Sequence, residues 1–332
     1  MKILHISNFV NIPPKGYGGT ERVVYNLAKK QAEEGHQVFL MAGRPSNIPM
    51  VIDLSFKKGE SYKEKIFISK RILSLYALRA FLKSRKYHFD IIHNHMSEEA
   101  IICTKVSKVP VLTTLHCPLT LRGIPLMFAS LTKLFPKKTV FVAISKKSYL
   151  CYKPFYGKHL LTWIYNGIDV SSIPFVEKPK KEHELQLCFV GKIIKQKNPH
   201  LAIRIVDVLR KKGYDAVLYL IGKVDSYRNK YVKIITDMIK KRQKYIIFLP
   251  NIKSSKLYQI VGNCDAFLWL SEEIGLGIAQ LEALATGTPV VGFKYTTVEE
   301  VVINNYNGYI ADNLYDMINK IINVFKIAKV IF

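Results

Sequence analysis

The sequence predicts an α/β chain of two doubly wound domains joined by a polar linker. Three observations predict this. Short apolar runs alternate with amphipathic segments in the first half, and the alternation restarts after a Pro- and charge-rich stretch. The length, 332 residues, suits two cores better than one. The boundaries read as 1–170 for the first domain, 171–184 for a hinge linker and 185–332 for the second domain.

In the first domain Ile3–Ile6 reads as a strand and Glu21–Glu34 as a helix that stops at Gly35. Val38–Met41 is a second strand. Ile66–Arg85 is a basic helix with Ile72, Leu75, Leu78, Ala80 and Leu82 on or near one face. Asp90–His93, Val109–Leu115, Thr139–Ala143 and Leu160–Tyr165 read as further strands. Strands separated by helices imply βαβ units and a parallel sheet. The stretch Ser171–Glu184 holds Pro174, Pro179 and a charged run, so it reads as a solvated hinge.

The second domain repeats the pattern. Strands are expected at Leu185–Gly191, Ala216–Gly222, Tyr245–Leu249, Ala266–Leu270 and Pro289–Gly292. Helices are expected at Pro199–Lys212, Lys230–Lys244, Ser254–Gly262, Leu276–Thr286 and Val298–Asn304, with a last lysine-rich helix from Leu314 to about Lys329. Sheets of this kind bind ligands at the carboxyl ends of their strands, and two of them facing each other leave a cleft.

The formal net charge is +25. That excess favours anionic partners such as nucleotide phosphates, acidic membrane or acidic glycans. Nucleic acid is not expected, because no nucleic-acid-binding motif accompanies the charge. Five scattered cysteines without a C-x-x-C pair argue against a disulfide framework or zinc site and fit a reducing compartment. The N-terminus does not read as a signal peptide, and no apolar run approaches the roughly 20 residues of a spanning helix. The expected location is cytoplasmic, with any membrane contact peripheral.

Four segments bear chemistry. Lys15-Gly16-Tyr17-Gly18-Gly19-Thr20-Glu21-Arg22 lies between a strand and a helix, where glycines admit a ligand and the helix start attracts anions. A flexible loop is the competing reading, and the spacing matches neither a dinucleotide fingerprint nor a P-loop. Gly191-Lys192, followed by Lys197, places two cations after the first strand of the second domain. They suit a diphosphate or, equally, solvent. Ser271-Glu272-Glu273-Ile274-Gly275-Leu276-Gly277-Ile278 is an acidic, Gly-rich loop opening a helix whose backbone N–H groups suit phosphate. Glu282 on that helix suits ribose hydroxyls, and helix capping by the acidic loop is the alternative. His116 ends a strand before Pro118, a position suited to a substrate hydroxyl, although a lone histidine is more often structural. His93 and His95 suggest a metal pair. Strand alternation argues that they do not converge unless the strand has ended, so no metal is expected.

Together these segments resemble glycosyltransferase family 4, over nearly the whole chain. The resemblance rests on residues 13–22, on Asn166-Gly167-Ile168-Asp169, and on Phe189-Val190-Gly191-Lys192 with Lys197. It rests also on residues 282–291, on Glu300-Val301-Val302 and on Asn307-Gly308. It implies the GT-B fold, two Rossmann-like domains facing across a cleft. It implies a retaining hexosyltransferase that takes a nucleotide-diphosphate sugar, a UDP-sugar being favoured, with no separate cofactor. The acceptor would be a glycan or a lipid-linked glycan of cell-envelope or polysaccharide biosynthesis, with peripheral contact at the inner membrane face.

By the resemblance, Gly18 and Gly19 border donor phosphate and acceptor, and His116 contacts the donor sugar. Gly191, Lys192 and Lys197 hold the diphosphate. The Gly275-Leu276-Gly277-Ile278 turn lies on the donor, and Glu282 holds the ribose. The sequence departs from the family at three places. Lys192 stands where arginine is usual. Ile274 stands at the first glutamate of E-x7-E, which leaves Glu273 one residue away as its substitute. Thr296-Thr297 replaces a glycine pair. The family also commonly closes with a segment longer than this chain's, which ends at Phe332. The absence of a D-x-D triplet fits a metal-independent mechanism. The alternative from a different class is a non-catalytic nucleotide-sugar-binding protein, which Ile274 favours.

Overall fold

The computed structural model describes residues 1–8, 11–14, 18–55, 70–96, 102–116, 138–177, 184–224 and 229–331. It divides into two compact units, Met1–Gly167 and Ile168–Phe332.

The first unit holds strands β1 (Lys2–Ile6), β2 (Gln37–Met41), β3 (Val51–Asp53), β4 (Ile91–Asn94), β5 (Val111–Leu115), β6 (Thr139–Ala143) and β7 (Leu160–Trp163). Its described α-helices are α1 (Gly19–Glu33), α2 (Lys70–Ser84) and α3 (Lys146–Tyr156). The strands form one parallel sheet in the order β3-β2-β1-β4-β5-β6-β7. Chain order runs outward in opposite directions from β1 and β4, so the topological switch point lies between those two strands.

Strand alternation sorts the residues of β1. Leu4 and Ile6 pack with Tyr76, Ala77, Ala80 and Phe81 of α2. The opposite face lies under α1, whose Val24, Ala28 and Ala32 pack with Val38 and Leu40. The α2 face differs from expectation: Leu75 and Leu82 are exposed, and Lys83 Nζ donates to the Leu54 carbonyl at 2.8 Å. The buried stripe is 76, 77, 80 and 81, the i, i+1, i+4, i+5 spacing of one helix side. Helix α3 is an element that the apolar pattern missed. It begins with a reciprocal bond between Ser145 and Ser148, a capping box with serine in place of glutamate.

The second unit holds β8 (Glu184–Val190), β9 (Asp215–Ile221), β10 (Ile246–Leu249), β11 (Ala266–Trp269), β12 (Val290–Phe293) and β13 (Gly308–Ala311). Its helices are α4 (Pro199–Lys211), α5 (Lys230–Lys240), α6 (Ser254–Asn263), α7 (Ile278–Ala285) and α8 (Leu314–Ile331). The parallel order is β10-β9-β8-β11-β12-β13, with the switch point between β8 and β11. One face packs on α4, α5 and α8 and the other on α6 and α7. The expected helix at Val298–Asn304 is only a short 3-10 turn, Thr297–Glu300, and β13 follows it. Part of the stretch expected as a solvated hinge is packed. Ile173 is buried and the Val176 N–H donates to the Thr286 carbonyl at 3.2 Å. Residues 178–183 lie outside the described residues.

Candidate functional site

In each unit most of the sequence-predicted residues lie in segments that follow strands at or next to the switch point. In the second unit Gly191, Lys192 and Lys197 follow β8, and Ser271 to Ile278 follow β11, its hydrogen-bonded neighbour. The two loops are stitched together. Lys197 Nζ lies 2.6 Å from Glu273 Oε2, with the two side chains only 12% and 31% exposed. The Lys197 ammonium also stands 5.4 Å from the Trp269 ring centroid. Asn198 starts α4 in the left-handed conformation, and its Nδ2 donates to the Leu270 carbonyl at 3.1 Å and to Glu272 Oε1 at 3.0 Å. The Glu272 N–H donates to the Gln196 carbonyl at 3.0 Å. Sequence reasoning missed Asn198, though an Asn directly before a helix-opening Pro was its signal.

Two glycines here are required by close approach. A Cβ on Gly277 would sit 2.0 Å from the Trp269 ring, and one on Gly222 would sit 1.7 Å from the Gly191 carbonyl oxygen. Gly277 caps α7 without a side-chain hydrogen bond, and Ile278 opens the helix. The first-turn N–H groups of such a helix are oriented for an anion. Leu276 is buried. Thr297, one of the pair standing in for glycines, has its Oγ1 3.5 Å from the Gly275 carbonyl, and Thr296 Oγ1 donates to the Phe293 carbonyl at 2.7 Å.

Glu282 is 6% exposed, and Tyr258 of α6 donates its hydroxyl to Glu282 Oε1 at 2.9 Å. The carboxylate is therefore oriented by the protein before any ligand binds. Tyr258 carried no signal in the sequence.

In the first unit Gly18 caps α1 in extended backbone and Gly19 is its first helical residue. A Cβ on Gly18 would fall 2.8 Å from Pro14 and Glu21 atoms, whereas one on Gly19 would meet open space. Lys15, Gly16 and Tyr17 of the same motif lie outside the described residues, as does Cys117 beyond His116.

His116 is half-buried and belongs to a cluster of four histidines. Register explains the cluster. His5 of β1 pairs with His93 of β4, and His93 pairs with Leu112 of β5, so Thr114 and His116 follow on the same face. His93 and His95 have ring centroids 4.0 Å apart. This corrects the expectation that alternation separates an H-x-H pair: residues two apart on a strand share a face, and His95 also stands just past the end of β4. His95 Nδ1 lies 3.0 Å from His116 Nε2, His95 Nε2 lies 2.9 Å from His5 Nδ1, and His93 Nε2 lies 2.8 Å from Thr114 Oγ1.

Burial pushes His5 and His116 down to about 4, with a hydrogen bond to Gln31 opposing the shift at His5. Burial first, then the neighbouring histidines, hold His93 and His95 well below the usual imidazole range. The cluster is therefore neutral at pH 7. Among the described residues, His5, His93 and His95 bring one nitrogen each within 4.8 Å of one another, the one grouping with metal-binding composition. The 2.9 Å between His5 and His95 is a hydrogen-bond distance. Nitrogens sharing a tetrahedral zinc ion stand about 3.3 Å apart.

Known proteins share this architecture. A family model described as Glycosyltransferase Family 4 matches residues 17–172, and one described as Glycosyl transferases group 1 matches residues 173–327. Glycogen synthase of Mycobacterium tuberculosis is 24% identical over 349 residues, covering 93% of this chain and 81% of that one. N-acetyl-alpha-D-glucosaminyl L-malate synthase of Bacillus anthracis is 24% identical over 317 residues, covering 89% and 81%. Among solved structures, Anabaena HepE in complex with UDP and glucose superposes with a TM-score of 0.73 at 17% identity, covering 100% of this chain and 94% of that one. Sucrose-phosphate synthase from Thermosynechococcus elongatus gives 0.78 at 14% identity, covering 98% and 90%. The shared fold is GT-B.

Proposed function

Because the chain belongs to glycosyltransferase family 4, we propose that it moves a hexose-type sugar from a nucleotide-diphosphate sugar to a glycan or lipid-linked acceptor, with retention and without a metal. The observation that carries this reading is the pairing of Lys197 with Glu273 between two loops at the switch point of the second sheet. Lys192 and Lys197 hold the diphosphate. Gly191 and the Gly275-Leu276-Gly277-Ile278 turn admit it, and Glu282 takes the ribose hydroxyls. In the first unit Gly18 and Gly19 border the phosphate, and His116 contacts the sugar. A UDP-sugar is the favoured donor, in keeping with the UDP and glucose of the HepE complex.

In the transfer, the bond from the anomeric carbon to the β-phosphate oxygen breaks, and a bond to the acceptor oxygen forms on the same face. The acceptor proton passes to the departing phosphate, which leaves as the nucleoside diphosphate. Negative charge grows on that phosphate at the transition state, and the two lysines stabilise it more there than in the ground state. No other cofactor enters.

A second reading, nucleotide-sugar binding without turnover, is favoured by Ile274 at the family's first glutamate position. Glu273 counters it, since its carboxylate reaches Lys197 from one residue earlier. A thermal-shift screen of UDP-, GDP-, ADP- and dTDP-sugars identifies the donor, because a ligand of the native state raises its stability. Donor hydrolysis or transfer with that sugar, measured with and without EDTA, decides between the readings. We expect turnover that survives EDTA; binding without turnover would leave the second reading, and loss restored by Mn²⁺ would end the metal-free one.

We also place the enzyme in the cytoplasm, peripheral on the inner face of the membrane. Exposed Leu75 and Leu82 of α2 support this, lying in one stripe with exposed Arg79, and exposed Lys86 follows just past the helix end. No described helix is long and apolar enough to cross a membrane.

A further inference from the structure

A chain of hydrogen bonds runs from His116 to the helix that Gly18 and Gly19 begin. His116 Nε2 is 3.0 Å from His95 Nδ1, His95 Nε2 is 2.9 Å from His5 Nδ1, and His5 Nε2 is 2.7 Å from Gln31 Oε1. His5 and His95 are wholly buried and engage both ring nitrogens. Gln31 sits on the α1 face that carries Val24 and Ala28, both buried against the sheet.

A neutral imidazole has one donor nitrogen and one acceptor nitrogen. A row of such rings therefore has only two polarities, and the group at its end chooses between them. The Gln31 amide oxygen only accepts, so His5 donates Nε2–H to it. His5 Nδ1 then accepts Nε2–H from His95, and His95 Nδ1 accepts Nε2–H from His116. His116 is left with a lone pair on Nδ1, for which no partner exists among the described residues. A second proton on any inner ring would set donor against donor at one junction. Burial, which disfavours the charged form, works against that break.

We propose that Gln31, His5 and His95 are positioning residues that lock His116 in its Nε2–H tautomer, so that Nδ1 accepts a hydrogen bond from a hydroxyl of the donor sugar. The function of the lock rests on the reading that His116 faces that sugar. Its tautomer does not. His93 supports the row from the side, its ring against His95 and its own Nε2 on Thr114.

The test begins on the ligand-free full chain, labelled with ¹⁵N-histidine. Long-range ¹H–¹⁵N correlation separates Nε2–H, Nδ1–H and doubly protonated rings, and a His116→Gln spectrum assigns the signal. We expect His5, His95 and His116 all as Nε2–H at neutral pH. His116 as Nδ1–H, or as a mixture, overturns the proposal. So does a stoichiometric transition metal in the purified protein, since it would occupy the nitrogens that form the row.

Gln31→Leu removes the terminal acceptor at a distance of three rings from His116 Nδ1. We expect His116 to become a mixture of tautomers. We expect kcat/KM for transfer to fall by about two- to tenfold, the worth of one neutral hydrogen bond, with affinity for free UDP unchanged. An unmoved His116 signal, or a moved signal with unchanged transfer, overturns the positioning role. Because the tautomers are read without donor, a protein that shows the expected pattern but transfers no sugar would count against the proposed function, not against the row.

Discussion

Lys197 and Glu273 meet at 2.6 Å although 76 residues of sequence separate them. The contact joins the loop after β8 to the loop after β11, and it puts a carboxylate beside a cation assigned to the diphosphate. Under the proposed function Lys197 would have two alternative partners, Glu273 before the donor binds and phosphate oxygens after. The carboxylate holds the ammonium in place and also competes for it.

This yields a double-mutant cycle. Lys197→Ala should weaken UDP binding more than uridine binding and lower turnover further still, because the diphosphate carries the interaction. It also strands the Glu273 carboxylate beside an anion site. Lys197→Ala with Glu273→Ala should therefore bind UDP more tightly than Lys197→Ala alone, with a coupling of about 0.5–3 kcal/mol. Calorimetry with UDP and uridine checks both statements. Equal losses for uridine and UDP would refute the diphosphate assignment.

Glu282→Gln isolates the ribose role. The amide keeps an acceptor for the buried Tyr258 hydroxyl, so the melting temperature should hold. Charge-assisted bonds to the ribose are lost, worth about 1.5–3 kcal/mol, or roughly ten- to a hundredfold in nucleotide affinity. Glu282→Ala should lower both affinity and stability, because it removes the carboxylate that accepts the Tyr258 hydroxyl in the protein interior. An unchanged affinity in Glu282→Gln would remove the ribose from this residue.

The histidine cluster predicts acid sensitivity. His5 and His116 titrate near 4 in the folded protein, below the ordinary 6.5 of the unfolded chain. Between those values the unfolded state binds more protons than the native state. The contribution is fully present above about pH 6.5 and is lost as pH falls toward 4. Each pKa unit corresponds to about 1.4 kcal/mol. Thermal melts should show stability falling across that window, with a shallower fall in His5→Phe. A flat profile down to pH 4 would mean that the cluster is not held neutral.

Membrane docking predicts flotation of the protein with phosphatidylglycerol vesicles at low salt, lost at high salt. Basic residues near an anionic surface contribute about 1 kcal/mol each. Arg79→Glu with Lys86→Glu should abolish flotation. Lys83 is a poor choice for this test because its ammonium is engaged by the Leu54 carbonyl. No flotation at low salt would remove the membrane from the proposed function.

Much of this was legible in the chain alone. Among the described residues, thirteen strands and eight α-helices follow an alternation that marks parallel sheets, and strands such as β1, β5, β6 and β8 start or end within two residues of their apolar runs. The motifs around Gly18, Lys192, Lys197 and Glu282 were readable because each is a short run whose chemistry is local. The misses have physical causes. Helix α3 opens on a serine pair that serves as a cap only once folded, and β13 is four residues at a sheet edge with little pattern to read.

By itself the sequence determined the two-domain α/β class, the family and the loops that bear the chemistry, because hydrophobic period and short motifs are properties of neighbours in the chain. Only the tertiary structure decided who stands behind those loops. Strand order set β1 beside β4 and register set His5 opposite His93, which converted scattered histidines into one buried row ending on Gln31. The same ordering of β8 beside β11 gave Lys197 the carboxylate of Glu273. Pairing between strands far apart in sequence is fixed by the packing of the whole sheet, and no local pattern records it.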